Sequence, residues 1–199
     1  GKDVIVARCG LYNQEGVLNA AVEFAGPGVA GLSVDERLAI ANMTTEWGAL
    51  VGWFPFDETT ALYLRQRASI LASRGIPDRL TEPMIAGWLR NPPLPDPDAD
   101  YAAVITLDLA AVSPQVTGPD TVAISQPVAE LARQRIAVDK AYLLSCVNSR
   151  MDDLAEAAEV LRGRRVAEGV ELYVAAASAE VQAEAEAKGV WQVLVAAGA

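Results

Sequence analysis

The chain has 199 residues, of which 52% are hydrophobic and 21% are charged, so it can build a sizeable core and is not disordered throughout. Its formal net charge is -10, so the phosphates of a nucleic acid would be repelled, and we therefore expect no nucleic-acid partner. We also expect no membrane partner, because no apolar run approaches the roughly 18 residues that a span needs. The lack of histidine excludes every Ser/His or Cys/His catalytic arrangement.

The first predicted elements are mainly helical. Residues 4–7 form a short strand or the opening of a helix. Apolar residues three and four positions apart predict a helix over residues 15–25. A stronger helix begins at a capping box, in which the Ser33 side chain accepts a backbone N–H and Glu36 reaches back to another. Its apolar pattern continues to Trp47.

A proline-rich segment separates the two halves of the chain. Before it, a second long helix is predicted over residues 57–74, and Trp88 is expected in a loop-like region with little pattern. Residues 91–100 contain four prolines, which break regular structure and stiffen a linker. We therefore predict two domains, residues 1–95 and residues 96–199.

Strands and helices alternate in the second half. The predicted strands cover residues 101–109, 121–125, 140–145 and 170–176, and the predicted helices cover residues 127–134, 151–161 and 178–189. Alternation of this kind is typical of a parallel sheet. The predicted fold class is α/β, with two small α/β domains whose parallel sheets are flanked by helices.

Two ligand-binding motifs are incomplete. Residues 26–31 match G-x-G-x-x-G, but the dinucleotide motif needs a strand before it and a helix opening directly from it. A helical pattern precedes this match and the next helix starts only at Ser33, so we interpret it as a turn between helices. The acidic run at residues 96–100 resembles a calcium loop, yet Tyr101 and Leu107 occupy the positions that require Gly and Glu.

The acidic pairs at residues 57–58 and 152–153 lie where helices begin. The helix macrodipole favours them there without any catalytic role. Cys9 and Cys146 are too far apart in sequence to suggest a disulfide framework, and their simplest interpretation is two buried thiols in a reducing compartment.

Asn42 and Glu46 form the first candidate site. They are four residues apart on the capped helix and so share one face. A carboxamide beside a carboxylate can hydrogen-bond a polar ligand or a metal-bound water. The alternative is a solvated polar face with no ligand.

The second candidate site surrounds Cys146, where an apolar strand ends and a helix is about to begin. Ligands of parallel sheets gather beyond the carboxyl ends of strands. Amides at a helix N-terminus lower the pKa of a thiol, and iron is ligated by thiolates. A buried structural cysteine is the alternative.

Both candidate sites carry a family resemblance. Residues 145–149 look like the S-C-T-N-S motif of the aconitase superfamily, whose cysteine is the first of three ligands to a [4Fe–4S] cluster. Residues 32–49 resemble the family segment that ends in N-M-x-x-E-x-G-A, and its two site residues correspond to Asn42 and Glu46. The chain is similar to this family, and most of all to its homoaconitase branch of fungal mitochondria, in three further places: residues 1–4, 139–142 and 173–178.

The resemblance implies two domains of the aconitase type in a mitochondrial hydro-lyase. Cys146 would be a metal ligand, and Asn148 and Ser149 would belong to the cofactor site. Glu46 would lie near the open iron or its water, and Asn42 would orient that network. The substrate would be a small tricarboxylic acid, homoaconitate, hydrated to homoisocitrate in lysine biosynthesis. The aconitase and isopropylmalate dehydratase branches remain alternatives, as does a non-catalytic folded module.

Two departures from the family pattern matter. Val147 replaces the usual Thr, which removes one hydroxyl. The chain also stops before the family's C-G-P-C, the source of the other two cluster cysteines, and Cys9 is expected to have a structural role only. We therefore expect an internal fragment that is inactive alone and holds no cluster. Its expected partners are the remaining aconitase domains, and the fragment could self-associate.

Overall fold

A computed structural model describes residues 1–11, 17–122, 124–145 and 147–199, with the side chains of residues 8–11 excepted. The chain divides into two units, Gly1–Val128 and Ala129–Ala199. The sequence-based division at residue 95 stays a prediction about domains.

The first unit combines helices with two pairs of short strands. Its helices are α1 (Lys2–Leu11), α2 (Val34–Met43), α3 (Glu58–Ser73) and α4 (Glu82–Arg90). Its strands are β1 (Ala21–Glu23), β2 (Val51–Trp53), β3 (Gln115–Thr117) and β4 (Ser125–Pro127). Strands β1 and β2 are parallel, with Ala21 opposite Val51, whereas β3 and β4 are antiparallel. The short helix α5 (Val128–Leu131) follows directly.

The core of this unit lies between α1 and α2. Ile5 and Ile40 are almost completely buried there, together with Val6 and Met43. Phe24, at the carboxyl end of β1, packs against the same cluster. Burial of these apolar side chains is the main force that holds α2, and with it the first candidate site, against the rest of the unit.

A buried arginine ties α2 to the start of α3. The Arg37 guanidinium donates to both carboxylate oxygens of Asp57, at 2.8 and 2.7 Å. It also donates to the carbonyl oxygens of Val29 (2.9 Å) and Leu32 (3.1 Å). Hydrogen bonds from Arg37 hold the pKa of Asp57 below its ordinary value, against the opposing effect of partial burial.

The second unit is a parallel pair of strands packed against helices. Its elements are β5 (Lys140–Leu143), α6 (Met151–Leu161), β6 (Glu171–Val174), α7 (Ala179–Ala187) and α8 (Val190–Ala197). Lys140 lies opposite Glu171, and the register continues to the ends of both strands. The centre of the core is a completely buried group made of Leu154, Ala158, Ala185 and Leu194.

Several sequence-based predictions are confirmed. The α/β class with parallel strands flanked by helices is correct. The capping box is present, with the Glu36 N–H donating to Ser33 Oγ at 3.2 Å and the Ser33 N–H donating to Glu36 Oε2 at 2.9 Å. Residues 4–7 belong to a helix, the second of the two alternatives. The structure also contains the predicted elements that correspond to α3, α5, β5, α6, β6 and α7.

Other predictions are wrong. Of the helix predicted over residues 15–25, residues 15 and 16 lie outside the described residues, and residues 21–23 form β1 because they pair with β2. The G-x-G-x-x-G match therefore follows a strand, and it forms the 3-10 helix Pro27–Gly31 ahead of α2. Trp88 is helical, since α4 buries Ile85 completely and Trp88 packs edge-on against Phe56.

The predicted strands of the middle region also need correction. Residues 101–109 contain no strand, and their last residue begins a short 3-10 helix, Leu109–Ala111, which is capped by Asp108. The strand predicted over residues 121–125 begins only at Ser125, and residue 123 lies outside the described residues. Helix α8 was not predicted. Within the described part of the chain, no helix is long and apolar enough to cross a membrane.

Candidate functional site

The first candidate site lies at the end of α2. Asn42 is on its last turn, and Glu46 follows in the 3-10 helix Thr44–Trp47. Both side chains are exposed. The α-helical winding that the sequence predicted stops at Met43, so the tighter 3-10 turn sets the direction of Glu46.

Buried contacts hold this turn in place. The Thr44 side chain is completely buried and its hydroxyl donates to the carbonyl oxygen of Ala41 at 2.8 Å. Gly48 ends the turn with φ +83°, a left-handed conformation that favours glycine, and its N–H donates to the carbonyl oxygen of Thr45 at 2.9 Å. The backbone that carries Glu46 is therefore fixed from both sides.

Strand β2 approaches the same turn very closely. A Cβ atom added to Gly52 would lie 2.8 Å from Ala41 Cα and 2.9 Å from Thr44 Cγ2. Only a glycine allows the strand to lie flush against the end of α2 without a shift of backbone. The packing of β2 thus helps to define where Asn42 and Glu46 are presented.

The second candidate site is the loop between β5 and α6. Cys146 lies outside the described residues, and its predicted role as a metal ligand stays a prediction. The residues on either side of it are connected, because the Val147 N–H donates to Ser145 Oγ at 3.1 Å. The loop follows the carboxyl end of a parallel strand and precedes an eleven-residue helix, as the sequence predicted.

Asn148 is half-buried in this loop. Its side-chain nitrogen faces Asp153 Oδ1 at 3.4 Å, and the other carboxylate oxygen of Asp153 accepts the Arg150 N–H at 3.0 Å. The side-chain oxygen of Asn148 is buried and has no hydrogen-bond donor among the described residues. A buried carbonyl oxygen without a donor is unusual in a folded protein and suggests a site that is completed by another group.

Ser149 is almost fully buried and holds the loop in an uncommon conformation. Its φ of +59° lies in the left-handed region, which serine rarely adopts. Its carbonyl oxygen accepts the N–H of Ala177, just after β6, at 2.9 Å. This bond joins the loop that follows β5 to the segment that follows β6.

The donor atoms of this chain fit only part of an iron–sulfur site. Several thiolates hold such a cluster, and the chain has two cysteines, Cys9 in the first unit and Cys146 in the second. Among the described residues, no group of three His, Cys, Asp or Glu side chains could hold a metal ion. The single cysteine of the loop allows at most one thiolate, and the Asn148 oxygen, two residues along the chain, has no donor in the described part of the chain.

Asp153 was not predicted as part of the site. The sequence analysis attributed it to the helix macrodipole alone, yet it contacts both the loop backbone and Asn148. An acidic residue three positions after the N-cap of a helix was the available signal, since this position commonly closes a capping box. Asn148 and Ser149 are together in one loop, while Asn42 and Glu46 belong to the other unit.

Comparisons with known proteins agree with the resemblance. Residues 1–199 match the aconitase family (aconitate hydratase). The chain is 52% identical to mitochondrial homoaconitase of Mycosarcoma maydis, 49% identical to that of Debaryomyces hansenii and 51% identical to that of Yarrowia lipolytica. Each match includes 100% of this chain but only 28% or 29% of the relative. The chain thus spans less than a third of the curated relatives it matches.

Proposed function

Because this chain belongs to the aconitase family, we propose that it is part of a hydro-lyase of the homoaconitase type. In the complete protein, this enzyme would hydrate homoaconitate to homoisocitrate in lysine biosynthesis. The proposal is supported by relatives named mitochondrial homoaconitase, which are 49% to 52% identical to this chain over its full length. The same names support a mitochondrial location.

Three residues of the second unit are proposed to contribute to the cofactor site. Cys146 would supply one thiolate, and Asn148 and Ser149 would line the site beside it. The [4Fe–4S] cluster of the family supplies, when bound, a Lewis-acidic iron that polarises the substrate oxygen and the water. The buried oxygen of Asn148 has no donor among the residues that the structure describes, and it supports this role because it can accept a hydrogen bond from a group that completes the site.

Two residues of the first unit are proposed to act on the substrate. Glu46 presents an exposed carboxylate at the end of a rigid turn, where it can accept or pass on a proton of the substrate hydroxyl or of water. Asn42 presents a carboxamide one turn earlier, which can orient the same hydrogen-bonded group. Their fixed backbone, with Thr44 buried beneath, keeps the loss of entropy on substrate binding small.

The proposed partners follow from the family. The substrate is a small carboxylic acid, and we propose a tricarboxylic acid of the homoaconitate type. The remaining aconitase domains would complete the site. Self-association of this chain, and the lack of a nucleic-acid partner, stay predictions.

Kinetics of the complete protein test this assignment. We expect Glu46→Gln to lower kcat on homoaconitate by about 100- to 10,000-fold, because it removes a proton-transferring group. Glu156→Gln is the control, since Glu156 is an exposed carboxylate in the middle of α6. Cys146→Ser should also abolish the visible spectrum of the cluster.

Two results would contradict the assignment. If Glu46→Gln and Glu156→Gln have the same kcat as the wild type, Glu46 has no catalytic role. If the wild-type protein hydrates aconitate or dehydrates isopropylmalate in preference to acting on homoaconitate, the chain belongs to another branch of the family.

A further inference from the structure

The Asp153 carboxylate connects the loop to the first turn of α6. Asp153 is the third residue of this helix, and one of its oxygens accepts the backbone N–H of Arg150 at 3.0 Å. The other oxygen faces the side-chain nitrogen of Asn148 at 3.4 Å. Asp153 therefore contacts the loop at two points, and one of these is a side chain of the proposed cofactor site.

These contacts determine which way the Asn148 carboxamide points. A carboxamide has a donor side and an acceptor side, whereas a carboxylate has only acceptor oxygens. If the Asn148 amide were turned over, its oxygen would face the oxygen of Asp153, and the two would repel each other. The nitrogen must face Asp153, and the Asn148 oxygen consequently points to the buried side.

In this orientation the hydrogen-bond acceptor left unsatisfied by the described residues is the Asn148 side-chain oxygen. The Asn148 oxygen is buried and has no donor among the described residues. Burial without a donor is unfavourable, so an amide free to move would turn this oxygen to solvent. The contact of the Asn148 nitrogen with the Asp153 carboxylate opposes this movement.

We propose that Asp153 is a positioning residue, which orients the Asn148 carboxamide so that its oxygen accepts a hydrogen bond from a hydroxyl group of the bound hydroxy acid. The role in catalysis rests on the proposed function. The orientation itself rests only on the contacts within the second unit.

A simpler role for Asp153 would be to stabilise the N-terminus of α6. The chain offers a matched control for it, because Asp152 is an exposed carboxylate in the same first turn and differs from Asp153 by one position. Asp152→Asn removes the same charge from the same helix end as Asp153→Asn. A role through the charge at the helix end alone predicts equal effects of the two substitutions, whereas a positioning role predicts unequal effects.

The orientation is tested by nitrogen-15 NMR of the 199-residue chain. In the wild type, the side-chain N–H resonances of Asn148 should be shifted by the adjacent carboxylate. Asp153→Asn should move these resonances, because the new amide can donate and lets Asn148 turn over. Asp152→Asn should leave them in place. Asn148 resonances that respond equally to both substitutions, or to neither, would overturn the proposal.

Kinetics of the complete protein test the consequence. We expect Asp153→Asn to lower kcat by about 10- to 100-fold, as is typical for residues that orient a cofactor site, and Asp152→Asn to change it less than about twofold. In an Asn148→Ala background, Asp153→Asn should have no further effect on kcat, because the group that it orients is gone. Multiplicative effects of the two substitutions would overturn the positioning role.

A third variant separates the cap of α6 from the orientation of Asn148. Asp153→Glu keeps the charge and places a glutamate where capping boxes commonly have one, so the helix should keep its thermal stability. The longer side chain moves the carboxylate away from Asn148, and kcat should still fall. The proposal would be contradicted if the Asp153→Glu variant had the kcat of the wild type although its Asn148 side-chain resonances had shifted. If Asn148→Ala alone leaves kcat unchanged, the proposed cofactor role of Asn148 fails, while the NMR result still decides the orientation.

Discussion

Arg37 is one of the few buried charged side chains among the described residues. Its side chain is only 4% exposed, and the Asp57 carboxylate that neutralises it is 32% exposed. Removal of one partner from a buried ion pair leaves an uncompensated charge, which costs far more than the loss of a surface pair. The pair connects α2, with Asn42 at its end, to the first residues of α3.

We expect Asp57→Asn to lower the free energy of unfolding by about 3 to 5 kcal/mol, because Arg37 stays buried without a negative charge. Urea denaturation measures this value. Glu82→Gln is the control, since the pair of Glu82 with Arg65 is exposed and should contribute far less to stability. Equal losses in the two variants would mean that Arg37 is effectively solvated.

The same pair predicts a dependence of stability on pH. Hydrogen bonds from Arg37 hold the pKa of Asp57 below its ordinary value, so the folded protein binds the Asp57 proton less readily than the unfolded chain. The stabilisation is complete above the unfolded pKa of about 3.9 and is lost as the pH falls through the lower folded pKa. Asp57→Asn should therefore remove part of the acid sensitivity seen in denaturation curves.

At the scale of elements, the contact of β2 with α2 decides where the Asn42 and Glu46 side chains are presented. Gly52 makes the contact possible, because any side chain at this position would overlap the backbone of Ala41. The exposed residues of the site thus depend on a glycine that has no reactive side chain of its own.

Gly52→Ala should lower the free energy of unfolding by about 1 to 3 kcal/mol, the usual cost of overpacking. Gly87→Ala is the matched control, since a Cβ atom there meets nothing within 4 Å and alanine favours the helix by about 1 kcal/mol. Thermal unfolding of both variants measures the difference. A Gly52→Ala variant as stable as Gly87→Ala would show that the end of α2 moves freely.

At the scale of the whole molecule, the chain carries one cysteine in each of its two units. A four-iron cluster is held by several thiolates, and the described residues offer no alternative group of metal ligands. The chain is also less than a third as long as the relatives it matches. We therefore propose that the chain supplies only part of a cofactor site.

We expect the 199-residue chain to hold no stable [4Fe–4S] cluster after anaerobic reconstitution with iron and sulfide. Visible absorption and electron paramagnetic resonance measure the bound cluster, and the Cys146→Ser variant gives the background of loosely bound iron. A stable cluster that is lost on substitution of Cys146 would show that one chain, or two copies of it, can assemble the ligands.

The sequence predicted best where short-range chemistry decides the structure. The side-chain oxygens of Ser33, Asp57 and Ser178 each accept a backbone N–H three residues later in the chain. Each helix start could therefore be located from a short stretch of sequence. The S-C-V-N-S and N-M-x-x-E segments could be recognised for the same reason, because each motif is continuous in the chain. The tight turn that presents Glu46 was not predicted.

What the sequence determined by itself was the α/β class, most helix starts and the family, all of which are written in local patterns. Tertiary structure alone decided that residues 21–23 form a strand, since their partners at residues 51–53 are distant in the chain. It also decided that Asp153 faces Asn148, and that Gly52 lies against the end of α2. These features depend on contacts between side chains and backbone that only folding brings together. The energies of such contacts cannot be inferred from the pattern of neighbouring residues.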